Sequence, residues 1–236
     1  MEKQSLVICI HGIMGGPSQF DEWAALLRAR GHVCRALLLP GHGVDAREFG
    51  RFGPEDWARH LQTEIEGLRG EYEKIFLVGH SMGGLLALRA SLASENKIAG
   101  LFLIATPLRL RLGLWHRLRL LFYRRGHAIK AAYMAANGIG KITLSVLLRF
   151  GKPLWGLLAY MKETRLHLAE VSVPVCMVHS RNDETVAFRS AALLREGLSN
   201  TRCEAWALDG AWHAYYSEAE RGFIGEKLVG FVDAGG

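Results

Sequence analysis

Residues Leu77–Gly84 read LVGHSMGG. One serine, Ser81, stands among three glycines, between the apolar run Lys74–Val78 and an Ala/Leu-rich segment that starts at Met82. Glycine loses more backbone freedom on folding than any other residue, so this clustering makes sense where side chains would be in the way. Gly79-His80-Ser81-Met82-Gly83 fits the pattern G-x-S-x-G. Where a strand turns at once into a helix, that pattern sets the serine on a tight, strained turn with its hydroxyl above the sheet. The turn also aims the unpaired N–H groups of the helix start at the space beside the serine. The simplest alternative is an ordinary Gly-rich turn with an incidental serine, so the surrounding chain has to supply the strand and the helix.

It does. Upstream, Ser5–Ile10 (SLVICI) is a continuous apolar run with β-branched members, bounded by the turn formers HGIMGGPS, and reads as a buried strand. Phe20, Trp23, Ala24 and Leu27 recur at helical spacing, with Gly31 as a stop. HVCRALLL is a second strand ended by PGHG, and PEDWARHLQTEIEGL a helix with Pro54 at its first position and acids in its first turn. KIFLVGH and IAGLFLIA read as strands on either side of the helix Met82–Ala93. Downstream come a strand in VPVCMVHS, a helix in AFRSAALLREGL, a strand in RCEAWAL and a final helix in EAERGFIGEKLVGFV. Strands alternating with helices imply an α/β protein with a mostly parallel central sheet. At 236 residues the chain suits one such domain.

The alternation pauses between Thr106 and Lys162. That piece is helical in character, is broken by glycines, and holds eleven Lys/Arg with no Asp or Glu. The formal net charge of +6 therefore hides a mildly acidic body carrying a basic insert. The expected organisation is a core of residues 1–105 and 163–236, with 106–162 as a helical cap. Within the insert, Leu108–Arg125 interleaves arginines with Leu, Trp115, Phe122 and Tyr123. This suits either a solvated cap helix or peripheral contact with an anionic membrane.

Cys9, Cys34, Cys176 and Cys203 form no CxxC pair and have no zinc spacing. They read as reduced, buried thiols, and so point to a reducing compartment. The N-terminal MEKQSLVICIHG lacks the apolar core and cleavage site of a signal peptide, and no apolar run approaches membrane-span length. A cytoplasmic protein is the expectation. No nucleic-acid-binding module is recognisable, and oligomeric state is left open.

A serine hydroxyl needs a base to act as a nucleophile at neutral pH, and histidine is suited to it. Ten histidines compete. His80 should point away into the surroundings of the turn, and His11 and His42 lie in early glycine loops. His213, in LDGAWHAYY, falls between the last strand and the last helix, at the sheet edge where open α/β folds bind ligands. The base needs a carboxylate to fix its tautomer. Asp183, in VHSRNDETV, follows the preceding strand, with Glu184 and Asp209 as rivals. The order Ser81, Asp183, His213 is one the triad takes in such folds. Oxyanion donors should be the Met82 N–H and, from HGIMGG, the Ile13 N–H. HGIMGG lacks the spacing of a phosphate-binding loop.

Taken together, ICIHGIMGGP, LLLPGHG, GPEDW, LVGHSMGG and VPVCMVHSRNDETV resemble the α/β-hydrolase superfamily, in its carboxylesterase and monoacylglycerol lipase branch. The resemblance covers Leu6–Thr106 and Glu163–Val232. It implies the α/β-hydrolase fold with an inserted cap, and a serine hydrolase acting on an ester or lipid-like small molecule without cofactor or metal. The branch usually carries Ser/Thr-Gly-His before its histidine, whereas here the residues are GAWH. A thioesterase or peptidase would use the same machinery, as would a perhydrolase, and a non-catalytic ligand-binding protein could share the fold. A dehalogenase would need a carboxylate where Ser81 stands.

Overall fold

The computed structural model describes residues 5–44, 46–111 and 151–236. Among them, six strands form one sheet: β1 Leu6–Ile10, β2 Val33–Leu37, β3 Ile75–His80, β4 Ile98–Ile104, β5 Val175–Ser180 and β6 Cys203–Leu208. Their order is β2-β1-β3-β4-β5-β6, and every pairing is parallel. Ile8 pairs with both Arg35 and Leu77, and Val178 with both Ile104 and Trp206. All the strands therefore end on one edge, and the loops that follow them converge there.

The helices are α1 Asp21–Ala29, the short α2 Ala46–Phe49, α3 Pro54–Leu68, α4 Met82–Ala90, α5 Gly151–Leu166, α6 Arg189–Gly197 and α7 Glu218–Asp233. Strand side chains alternate between faces, which splits the interior in two. Leu6, Ile8, Ile10, Leu77, Leu103 and Met177 point to the face covered by α3, α4, α5 and α6. Val7, Cys9, Phe76, Val78, Phe102 and Val178 point to the face covered by α1 and α7. Central strands covered on both sides explain the unbroken apolar runs in the sequence.

Helix ends follow the local chemistry. Gly31, just past α1, takes φ +87°. The Gly53 N–H donates to Asp56 Oδ2 at 3.0 Å, with Pro54 opening α3. Ser217 and Glu220 form a reciprocal capping box at the start of α7. The sequence reading gave no hint of α2, which sits inside the loop after β2.

The end of β4 leads to Arg109–Arg111, where Leu110 bridges Val186 antiparallel, Ala187 N–H donates to Arg109 O at 2.9 Å and Arg111 N–H donates to Thr185 O at 2.9 Å. Residues 112–150 fall outside the described residues, and with them most of the expected cap and most of the Leu108–Arg125 stretch. α5 runs through position 162, where the cap was expected to end, and buries Leu157, Tyr160 and Met161 in the same core as α3 and α4. No helix among the described residues is long and apolar enough to cross a membrane.

The four cysteines are free thiols. Cys9, Cys34 and Cys176 are buried, but Cys203 is partly exposed because β6 is an edge strand. Cys9 and Cys34, on neighbouring strands, bring their sulfurs to 3.7 Å.

Candidate active site

The turn at Ser81 joins the last residue of β3 to the first turn of α4, with Ser81 at φ 53° and ψ −120°. An L-residue seldom adopts such angles, and they turn the side chain out of the sheet. The glycines have distinct tasks. A Cβ at Gly83 would collide with the Ile10 carbonyl, and one at Gly79 would lie 2.5 Å from the backbone of Gly83 and Gly84. A Cβ at Gly84 would collide with Thr106 Oγ1. Gly12 faces the serine directly, since a Cβ there would come within 3.0 Å of Ser81 Cβ. The close packing of strand, helix and loop thus depends on absent side chains.

His213 lies in the loop between β6 and α7, which Trp212 N–H closes onto Tyr215 O at 2.9 Å. Its Nε2 is 2.9 Å from Ser81 Oγ and its Nδ1 is 2.8 Å from Asp183 Oδ2. A carboxylate only accepts, so Nδ1 carries the hydrogen and Nε2 is left to accept from the serine. Asp183 is almost fully buried. Burial alone would raise its pKa. The neighbouring His213 and the N–H groups of Val186 (2.7 Å) and Thr185 (2.8 Å) outweigh this and hold it below the ordinary value. Asp183 is thereby kept ionised in the interior. The two rivals make other contacts: Asp209 is exposed and pairs with Arg181 at 3.1 Å, while Glu184 accepts from the His213 backbone N–H at 2.8 Å.

Of the two residues expected to supply backbone donors beside the serine, Met82 lies in the first turn of α4 and Ile13 in the loop after β1. Neither N–H donates to a carbonyl among the described residues. The Ile13 loop is a turn closed by Gly15 N–H to Gly12 O at 3.0 Å, with Met14 at φ 59°. His11 holds its base: Nδ1 donates to Gly12 O at 2.8 Å, and Nε2 accepts from Leu39 N–H at 3.1 Å.

A strained serine at a strand-to-helix turn, linked through histidine to a buried aspartate in this chain order, is now in place. Residues 7–226 match the alpha/beta hydrolase family. The chain belongs to that family.

Among curated relatives of this alpha/beta hydrolase, the thermostable monoacylglycerol lipase of Bacillus sp. (strain H-257) is 23% identical over 230 residues, covering 95% of this chain and 89% of the lipase. Salicylic acid-binding protein 2 of Nicotiana tabacum is 32% identical over 107 residues, 44% of this chain and 41% of that protein. Methylesterase 7 of Arabidopsis thaliana is 29% identical over 104 residues, 44% and 40% of the two chains. The match thus spans about two fifths of the plant relatives and most of the lipase. Among solved structures, the monoacylglycerol lipase of Paleococcus ferrophilus aligns with a TM-score of 0.77 at 20% identity, over 100% of this chain and 97% of that one. A chain of the metagenome-derived lipolytic enzymes LipS and LipT aligns at 0.79 and 19%, over 99% and 95%. At these identities the structural likeness is one of fold.

In this member of the alpha/beta hydrolase family two residues near the site carry contacts that the sequence reading did not foresee. His80 does not point away from the site. It is buried, its Nε2 donates to the His213 carbonyl at 2.8 Å, and its ring lies 5.0 Å from that of His213. Glu184, weighed only as a rival acid, binds main chain instead. Neither contact leaves a local signal, because each joins residues distant in sequence. No group of three or more His, Cys, Asp or Glu side chains among the described residues is arranged to hold a metal ion.

Proposed function

We propose that this chain is a serine hydrolase that cleaves carboxylic esters, of the carboxylesterase or monoacylglycerol lipase kind, through an acyl-enzyme intermediate. The observation that carries the reading is the continuous line from Ser81 Oγ to His213 Nε2 (2.9 Å) and from His213 Nδ1 to Asp183 Oδ2 (2.8 Å). Ser81 Oγ attacks the ester carbonyl while His213 Nε2 takes its proton. The ring becomes imidazolium, and Asp183 stabilises it without accepting the proton. The N–H groups of Ile13 and Met82 hold the tetrahedral oxyanion, each worth about 10²–10³ in rate. His213 then protonates the leaving alcohol. A water molecule, deprotonated by the same nitrogen, releases the acid and restores Ser81. Residues 106–162 act as the cap that bounds the substrate.

Support comes from the family, from the nearly full-length similarity to a monoacylglycerol lipase, and from the glycine packing that accommodates the strained backbone at Ser81. The test is labelling with a fluorophosphonate, followed by hydrolysis of p-nitrophenyl esters and monoacylglycerols of graded chain length. Wild type should be labelled and active. Ser81→Ala should lose labelling and several orders of magnitude in rate while keeping its melting temperature within a few degrees. More than about a tenth of wild-type activity in Ser81→Ala would overturn the reading.

A further inference from the structure

His213 is held by more than its ring. Its N–H donates to Glu184 Oε2 at 2.8 Å, and its carbonyl accepts from His80 Nε2 at 2.8 Å and from Tyr216 Oη at 3.2 Å. The gripping residues stand beside the site residues in sequence. His80 precedes Ser81, and Glu184 follows Asp183. Asp183 and Glu184 therefore take hold of the same histidine, one by the ring and one by the backbone.

The surrounding loops carry this further. Arg181 N–H donates to Leu208 O at 2.8 Å, and Asn182 Nδ2 to Asp209 O at 2.6 Å. Ser180 Oγ donates to the Ala211 carbonyl. Residues 180 to 184 are thus bonded one after another to the stretch 208 to 213, and Glu184 supplies the last rung, at the histidine itself. Where the branch it resembles has Ser/Thr-Gly before the histidine, this chain has Ala211-Trp212.

We infer that Glu184 is a positioning residue: its carboxylate sets the backbone of His213, and so the distance from Nε2 to Ser81, by accepting one main-chain hydrogen bond. This rests on the hydrolase reading above. The role requires an acceptor oxygen at the right reach and does not require a negative charge. A misplacement of about 1 Å at a reacting group can cost about 10²-fold in rate.

Three substitutions separate reach from charge. Glu184→Gln keeps the length and an acceptor oxygen without the charge. Glu184→Asp keeps the charge one methylene short, and Glu184→Ala has neither. With a soluble p-nitrophenyl ester, Gln should stay within about threefold of wild-type kcat. Asp and Ala should each fall about 10- to 100-fold in kcat, with KM within about threefold and fluorophosphonate labelling slowed by the same factor. Melting temperatures identify any variant that has merely unfolded, and Gln against Asp still decides the matter if Ala does not fold. Asp near wild type with Gln impaired would mean that charge matters and would overturn the inference, as would three variants of equal activity. Ser81→Ala run alongside keeps the two ideas apart. If it retains activity the hydrolase reading fails, whereas a dead Ser81→Ala with an unimpaired Glu184→Asp removes only the role of Glu184.

Discussion

His80 donates through Nε2 to the carbonyl of His213 at 2.8 Å, so the neighbour of the serine carries the backbone of the histidine. The bond requires hydrogen on Nε2 and leaves Nδ1 bare. Nδ1 is buried and has no hydrogen-bond partner among the described residues. Burial and the adjacent His213 push the His80 pKa down to about 3. In the proposed mechanism, when His213 accepts a proton from Ser81, the ring beside it therefore stays neutral and does not repel the new charge. His80→Leu removes the donor while keeping an apolar body, and is expected to lower kcat about tenfold or more on a soluble ester with folding retained, measured by steady-state kinetics beside a thermal melt.

Asp183 and Asp209 offer a sharp contrast. Asp183→Asn keeps the shape but allows the wrong tautomer of His213, and is expected to cost about 10³–10⁴-fold in kcat. Asp209→Asn removes only an exposed ion pair with Arg181, and should change kcat less than about twofold and stability by less than about 1 kcal/mol. Parallel kinetics on the two variants decide this. A severe loss at Asp209 with a mild one at Asp183 would move the acid.

Acid should weaken the fold well before carboxylates titrate. Burial pushes His11 down to about 4 and His42 and His80 down to about 3, and lowers His179 as well. Protonating His11 would turn an N–H of its ring against the Leu39 N–H. His42 Nε2 and His179 Nδ1 would become buried donors without partners among the described residues. The unfolded chain takes up these protons near pH 6.5, whereas the folded chain resists. The stabilisation is therefore complete above pH 6.5 and is lost as pH falls from there toward 3–4, by about 1.4 kcal/mol per pH unit for each histidine. Asp183, with its pKa held low, adds stability that disappears only below the ordinary carboxylate range. Urea unfolding at pH 7.5, 6, 5 and 4.5 should show a steady fall in midpoint, and flat midpoints down to pH 4.5 would refute the assignment of neutral interior histidines.

The glycines at the turn should respond differently to alanine. At Gly83 the new methyl meets the carbonyl and backbone of Ile10 and the His11 carbonyl, none of which can yield without moving β1. At Gly84 the three atoms it meets most closely all belong to the side chain of Thr106. Gly83→Ala should thus be the more damaging, and Thr106→Gly should restore part of the stability lost in Gly84→Ala, of the order of 1–3 kcal/mol. Urea denaturation of the single and double variants measures the coupling.

Much of this was legible in the residues themselves. The alternation of apolar runs with helical periods anticipated six strands and their helices, because each element announces itself over a few consecutive positions. Ser81 stood out for the same reason. His213 and Asp183 followed from chain order and from their place after strands that end on one edge. What could not be read was anything set by which strand lies beside which. The exposure of Cys203 follows from β6 being an edge strand, and that order is a property of the assembled sheet. The inward turn of His80 and the backbone contact of Glu184 join residues 133 and 29 positions apart, with no period to betray them.

Ser81, Met82 and Ile13 all precede residue 112, and Asp183, Glu184 and His213 all follow residue 150. In the proposed mechanism one part of the chain holds the carbonyl and attacks it, and the other moves the proton. They meet where β4 pairs with β5, where Leu110 bridges Val186, where Trp23 and Glu22 reach Arg221, and where Ser81 and His80 reach His213. A polypeptide opened between 112 and 150 would give two fragments, each chemically mute. Mixed, they would regain turnover only as far as these contacts re-form together, so fragment complementation would report directly on the strength of the join between the two parts.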